Sequence, residues 1–235
     1  MNPLTLAPDR SAFSYIREHL LLGASTGFMT DLRGDWSRSV AEAVAISDAA
    51  VELSALSGPE LAPLIGFLND RNGTPIPFGY VSVHGPSKDW SAGMAQLADQ
   101  LRELPTQVET VVLHPDKIDD TRPLRQLGSL IVLENLDHRP STGRDVAEMA
   151  PWFEALPDAG FCFDIAHVTA FEEGLQLGHE LLDAFGGRLR QVHLSSFVRE
   201  GAQHVPLTEQ DARRFGSLLR RCLGVPWILE APLAS

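Results

Sequence analysis

Short apolar runs alternate with longer amphipathic segments along the whole chain. The runs have the length and residue types of buried strands, whereas in the segments between them apolar residues recur every three or four positions, as on one face of a helix. No Gly/Ser-rich or low-complexity segment interrupts this alternation, so a single domain, 1–235, is predicted. The predicted strands are 19–25, 49–56, 79–86, 109–115, 129–137, 160–168, 189–196 and 225–232, and the clearest helical patterns are 91–104, 145–156, 172–186 and 208–222.

An eightfold alternation of strand and helix is typical of parallel βα units. The length of the chain fits eight such units, so a (β/α)8 TIM barrel of the α/β class is predicted. A doubly wound open sheet would show the same alternation. However, "LLLGASTGFM" around the first strand lacks the G-x-G-x-x-G spacing of a phosphate loop. The barrel is therefore preferred.

After Glu230, near the end of the last predicted strand, the sequence continues only with "APLAS", so the barrel is expected to lack the usual C-terminal eighth helix. The segment 9–20 has Phe13, Ile16 and Leu20 at helical spacing and is predicted to pack over the apolar surface left open there. A second copy of the chain can cover the same surface, so a homo-oligomer is also considered.

Ligand-type side chains recur at the ends of the predicted strands. In "GFCFDIAHV", alternation places Cys162 and Asp164 on one face and Phe161 and Phe163 on the other, so a carboxylate points inward and needs a partner. Successive polar strand ends are separated by 20 to 37 residues, on average about 29, which is the length of one βα unit. They are expected to meet at the C-terminal face of the barrel, where barrel enzymes have their active sites. The residues are His84, His114, Glu134, Asp164, His193 and Glu230.

Carboxylates crowded at one barrel mouth repel each other unless a cation stabilises their ionised forms. The predicted cofactor is therefore a divalent metal: Mn, Mg, Co or Zn. His84 and His114, with Glu134 between them, are candidates for a second, more zinc-like site. His167, three residues after Asp164, is expected to bind substrate, or to bind metal together with His204. The predicted central ligands are Glu134, Asp164, His193 and Glu230.

Charge and composition limit the partners. The formal net charge is -12 and the pI is about 5.0, which argues against an extended nucleic-acid-binding surface. No apolar run approaches the roughly 20 residues that a membrane span needs. The two cysteines, Cys162 and Cys222, form no disulfide framework. A cytoplasmic protein with a small-molecule substrate is expected.

The motifs "VHGP", "VVLHP", "VLENLD", "FDIAHV", "QVHLS", "HVP" and "ILEAP", in this order, resemble the xylose isomerase-like TIM barrel superfamily. This superfamily includes sugar isomerases and epimerases and the class II AP endonucleases, and the resemblance covers about residues 51–232. For epimerase-like members it implies that Glu134 and Glu230 act as acid and base on a metal-bound substrate. It further implies that His167 and Arg199 contact that substrate.

For AP endonuclease-like members, the resemblance implies a second zinc at His84, His114 and Glu134, and a third at His167 and His204. The chain departs from both patterns. Ala202 occupies the position of the Asp in the Asp-x-His pair of the third zinc site, and Pro140 that of a further Glu in ketose epimerases.

The preferred hypothesis is a metal-dependent isomerase or epimerase that acts on a sugar or related hydroxy-carbonyl compound by carboxylate-mediated proton transfer. Two alternatives remain open. One is an AP endonuclease-like zinc phosphodiesterase, and the other is a non-catalytic barrel that binds a metal or a small ligand.

Overall fold

The computed structural model describes residues 11–70, 74–171, 174–201 and 203–234. Eight parallel strands close into a barrel in the order β1-β10-β7-β6-β5-β4-β3-β2, and β8 and β9 pair separately as an antiparallel hairpin. The predicted (β/α)8 TIM barrel is therefore confirmed. The strands are β1 Leu22–Ser25, β2 Ala50–Ser54, β3 Tyr80–His84, β4 Thr110–Leu113, β5 Ile131–Glu134, β6 Gly160–Asp164, β7 Leu189–Leu194, β8 Ser196–Val198, β9 Gln203–Val205 and β10 Trp227–Leu229.

Helices surround the barrel, although β4 is followed only by the 3-10 segments Pro115–Lys117 and Leu124–Leu130. Among the described residues, no helix is long and apolar enough to cross a membrane. The α-helices are α1 Ala12–Arg17, α2 Trp36–Ile46, α3 Gly58–Asn69, α4 Gly93–Leu101, α5 Val146–Ala155, α6 Ile165–Phe171, α7 Gln176–Phe185 and α8 Glu209–Leu219.

Every predicted strand contains a barrel strand, but the predicted limits are too wide. The largest difference follows Asp164, where β6 ends and α6 begins within the predicted strand 160–168. Asp164 Oδ1 accepts a hydrogen bond from the backbone N–H of His167 at 2.8 Å. The carboxylate thus caps the first turn of the helix that follows it, which the apolar pattern alone did not reveal.

Side chains alternate across β6 as predicted. Phe161 and Phe163 point to the surrounding helices, and the ring centroid of Phe161 lies 6.1 Å from that of Phe153 on α5. Cys162 lies on the opposite face, where it packs with Val112 and Val132. This alternation aims Asp164 into the barrel.

The segment before β1 packs against α8. Phe13 and Ile16 are buried, and Glu209 of α8 accepts a hydrogen bond from the Ala12 N–H at 2.9 Å. The prediction that Leu20 packs there is wrong, because α1 ends at Arg17 and Leu20 is 88% exposed. Residues 9 and 10 of that predicted segment lie outside the described residues. The described residues after β10 contain no helix, in line with the expectation.

Candidate metal centre

The polar strand ends meet at one end of the barrel. His84, Glu134 and Asp164 are the last residues of β3, β5 and β6, and Asp164 is paired in register with His193 on β7. His114 and Glu230 directly follow β4 and β10. A parallel barrel brings the carboxyl ends of all its strands to one face, so residues far apart in sequence become neighbours.

These side chains form three overlapping clusters, and within each cluster the ligand atoms all lie within 4.8 Å of one another. Glu134 belongs to the first and second clusters, and Asp164 to the second and third. The first cluster is His84, His114 and Glu134; the second is Glu134, Asp164, His193 and Glu230; the third is Asp164, His167 and His204.

Glu134 presents a different oxygen to each of two clusters. Its Oε2 lies 3.2 Å from His84 Nε2 and 3.0 Å from His114 Nε2. Its Oε1 lies 3.2 Å from His193 Nδ1. Both carboxylate oxygens are therefore occupied, one on each side, which is the arrangement of a ligand that bridges two cations.

Three buried histidines each have one ring nitrogen within hydrogen-bond distance of an oxygen atom of the protein, which fixes the orientation of the ring. His84 Nδ1 lies 2.9 Å from the Gly85 carbonyl, His167 Nδ1 2.8 Å from the Asn135 carbonyl, and His193 Nε2 2.9 Å from Glu52 Oε2. The two carbonyl oxygens can only accept, so Nδ1 of His84 and of His167 carries a hydrogen, whereas His193 has carboxylate oxygens beside both ring nitrogens. The other nitrogen of each ring then faces the clusters, which is how proteins orient metal-binding histidines.

Two imidazole nitrogens of the site share one hydrogen bond, and two buried carboxylate oxygens accept none, although an imidazole nitrogen lies 3.2 Å from each of those oxygens. The Nε2 atoms of His167 and His204 face each other at 3.2 Å. Asp164 Oδ2 and Glu230 Oε2 are buried and accept no hydrogen bond. Lone pairs and carboxylate oxygens directed at one another are unfavourable in a buried site unless a cation or a proton lies between them. The donor set therefore fits divalent metal ions.

The pKa values of the residues in these clusters show the same conflict. Burial opposes the charged form of His84, yet Glu134 and Glu52 raise its pKa to about 9. Burial lowers the pKa of His167 to about 4, which leaves this imidazole neutral. Burial, with Glu230 and Glu134 nearby, raises the pKa of Asp164 well above its usual range. Without a cation, protons must compensate the excess of carboxylates.

Glu52 is a buried residue of this site that the sequence analysis missed. It lies on β2, is fully buried, and its Oε2 accepts from His193 Nε2 and from Gln191 Nε2 at 2.7 Å. Gln191 Oε1 in turn accepts from Tyr80 Oη at 2.8 Å. In "AVELS" the alternation that places Asp164 inward also places Glu52 inward, so the same argument would have found it.

Two of the predicted substrate-binding residues lie on or next to the β8–β9 hairpin, whereas His167 is buried in the third cluster. His204 is on β9, with Nδ1 2.7 Å from Ser195 Oγ and 3.2 Å from Glu230 Oε2. Arg199 follows β8, and its Nε donates to the Ala170 carbonyl at 2.7 Å. Ala202 lies outside the described residues. The roles of these residues toward substrate stay predictions.

No protein-family model and no curated protein matches the sequence. Among solved structures, endonuclease IV from Thermus thermophilus matches with a TM-score of 0.54 and 22% identity, covering 84% of this chain and 88% of that one. The chain has the endonuclease IV fold. At this level of identity the likeness shows the fold alone, a closed barrel of eight parallel strands.

Proposed function

We propose that this protein is a metal-dependent phosphodiesterase that uses at least two adjacent divalent cations. The observation that carries the proposal is Glu134, which offers one oxygen to the His84–His114 pair and the other to His193. A carboxylate shared in this way would allow two cations to be held side by side, as in two-metal phosphatases and nucleases, where the ions lie about 3.5–4 Å apart.

Each protein group has a separate part in this proposal. His84, His114 and Glu134 would hold one cation, while Glu134, Asp164, His193 and Glu230 would hold the other. When bound, such ions would activate a water at neutral pH and offset the charge of a phosphoryl group. Glu52 contacts His193 Nε2 and so orients the imidazole with its Nδ1 toward Glu134 and Glu230.

The likeness to endonuclease IV agrees with this chemistry, whereas the charge of the chain does not favour a nucleic-acid substrate. A net charge of -12 opposes binding to a long phosphate backbone, whose affinity rests on Lys and Arg. We therefore propose a small phosphodiester as the substrate. Zn²⁺ and Mn²⁺ suit a donor set that mixes imidazole and carboxylate.

A metal-dependent isomerase or epimerase is the second candidate. Glu134 Oε1 and Glu230 Oε1 both lie 3.2 Å from His193 Nδ1, so two carboxylates flank one central position, as proton transfer on a bound substrate requires. If Glu134 bridges two cations, however, neither of its oxygens is free to act as the base. The phosphodiesterase is therefore preferred.

Three assays on one preparation discriminate among these functions. The protein is loaded with Zn²⁺ or Mn²⁺, its metal content is measured by mass spectrometry, and it is given bis(4-nitrophenyl) phosphate, an abasic-site duplex, or ketoses in deuterated water. We expect hydrolysis of the diester, no cleavage of the duplex, and no solvent deuterium in the ketoses. Glu134→Ala should abolish the hydrolysis, while Glu109→Ala, at an exposed position, should not.

Each alternative has its own result. Deuterium on the carbon beside the carbonyl, without diester hydrolysis, would establish the isomerase and reject the phosphodiesterase. Cleavage of the abasic duplex would overturn the choice of a small substrate. Stoichiometric metal binding without turnover in any assay would favour the non-catalytic barrel.

A further inference from the structure

A cavity of about 360 Å³ opens beside the first cluster. It lies between the loop that joins β3 to α4 and the segment that follows β4, and His114 forms part of its wall. His114 Nε2 is 3.0 Å from Glu134 Oε2, so a molecule in the cavity would lie next to the proposed cation site. The volume is within the range of about 300–1,000 Å³ that is common for small-molecule sites.

The backbone around this cavity is held in place by neighbouring loops. The N–H groups of Ser87 and Lys88 both donate to the Leu56 carbonyl at 3.0 Å, and Gly58 N–H donates to the Lys88 carbonyl at 3.1 Å. Asp89 has a φ of +52°, an uncommon conformation for a residue other than glycine. A side chain at Gly58 would approach within 2.6 Å of the Asp89 carbonyl oxygen. The cavity is thus pre-formed, and its loop carries local strain of the kind found at functional sites.

The lining of the cavity combines an aromatic ring, apolar side chains and charged side chains. Trp90 is half-buried, and its Nε1–H donates to the Gly93 carbonyl at 3.2 Å, so the indole offers its ring rather than its N–H to a ligand. Met94 and Leu113 are buried and contribute apolar surface. Lys88 and Lys117 are both exposed, but Lys117 Nζ pairs with Asp116 Oδ2 at 2.8 Å and the exposed Asp89 lies on the same wall, so the charges of the lining largely cancel. A flat apolar group fits this lining, while an anion on the same molecule fits the neighbouring cation site.

We propose that this cavity binds an aromatic substituent of the substrate, stacked on Trp90, while its phosphoryl group lies at the first and second clusters. The inference rests on the proposed phosphodiesterase function and narrows its substrate to small aromatic phosphodiesters. Aromatic stacking, together with burial of one ring, accounts for a preference over an alkyl substituent.

Calorimetry on the metal-loaded protein tests the cavity without requiring turnover. The probes are phenyl phosphate and methyl phosphate, which share the phosphoryl group and differ in the ring. We expect phenyl phosphate to bind about tenfold more tightly, which corresponds to about 1.4 kcal/mol. Trp90→Ala should remove most of this difference. Trp152→Ala, on α5, should leave it unchanged, because Trp152 contacts Thr142 away from the cavity.

A second variant, Ser87→Phe, tests the cavity independently in case the Trp90→Ala protein does not fold. Ser87 lines the cavity, and its backbone bond to Leu56 does not depend on its side chain. Ser87→Phe should therefore fill the cavity and weaken phenyl phosphate while methyl phosphate binds as before. Equal binding of the two probes to wild-type protein would overturn the proposal, as would an unchanged preference in both variants. A Trp90-dependent preference in a protein that hydrolyses no diester would support the cavity and reject the phosphodiesterase.

Discussion

The floor and the mouth of the candidate metal centre differ sharply in their access to solvent. On the floor, Glu52, Asp164 and His193 are completely buried. At the mouth, the side chains of His114, His204 and Glu230 are 20%, 27% and 15% exposed. Both regions consist of carboxylates and imidazoles, so their difference lies in hydration and in the number of fixed hydrogen bonds.

This difference suits the floor to binding a cation and the mouth to admitting substrate. On the floor, an uncompensated charge is costly because water cannot reach it, so the floor is suited to binding a cation tightly and in one geometry. At the mouth, solvent screens charge and side chains can exchange partners, so the mouth is suited to admitting substrate. We therefore expect substitutions on the floor to change metal affinity more than substitutions at the mouth.

The largest expected effect is that of Glu134→Ala. Glu134 is 1% exposed and contributes to both the first and the second cluster, so its loss should remove the bridging ligand of two cations at once. We expect bound metal to fall by at least one equivalent, measured by mass spectrometry after dialysis. The rise in melting temperature on adding metal should also disappear, because metal bound to the native state stabilises it.

The control for that experiment is Glu109→Ala, which removes a carboxylate from an exposed position at the start of the β4 region. It should leave both the metal content and the metal-dependent stabilisation unchanged. A Glu134→Ala protein that retains the metal of wild type would show that Glu134 binds no metal.

A smaller effect is expected for Glu52→Gln, which keeps the size of the side chain but removes its charge. Glu52 Oε2 accepts from His193 Nε2 at 2.9 Å, and outer partners of this kind typically contribute about 10–100-fold to metal affinity. We expect a weakening of this order in a chelator competition titration. Glu109→Gln is the matched control, and equal affinities for the two variants would contradict an orienting role of Glu52.

Much of the fold followed from the sequence because strand and helix periodicities are local. Asp164 was placed correctly inside the barrel, since alternation along one strand is enough to decide its direction. The end of β6 was predicted too late in the chain. The hydrogen bond from the His167 N–H to Asp164 caps the following helix, and apolar periodicity does not indicate such a side-chain cap. Leu20 was misplaced for a similar reason, as helical spacing does not show where α1 ends.

The candidate site was predicted in part. Residues at strand ends could be recognised from their recurrence, and the structure brings His84, His114 and Glu134 together as expected. Glu52 was overlooked because it lies in the middle of β2 rather than at its end, and its partner His193 is far away in sequence. That pairing depends on closure of the barrel, which brings distant strands together.

At the mouth, His204→Ala should have a still smaller effect. His204 belongs to the third cluster only, and its Nδ1 also contacts Ser195 Oγ at 2.7 Å. We expect metal at the first two clusters to remain, with loss only of a weakly bound additional equivalent. His138→Ala, which removes an exposed histidine, should change nothing. Loss of all metal from His204→Ala would contradict the separation of floor and mouth.

The smallest expected effect is a gain of metal binding at the mouth. The third cluster consists of Asp164, His167 and His204, and the family resemblance places an Asp two residues before His204, where this chain has Ala202. Ala202→Asp should therefore tighten binding of the third equivalent by about tenfold in calorimetry, about 1.4 kcal/mol. Gln203→Asp is the control, because it adds the same charge next to His204 but, by alternation along β9, on the opposite face, and it should have no such effect. If both variants bind metal as wild type does, the third cluster is not a cation site, and the pairing of His167 Nε2 with His204 Nε2 at 3.2 Å has to be maintained by a shared proton.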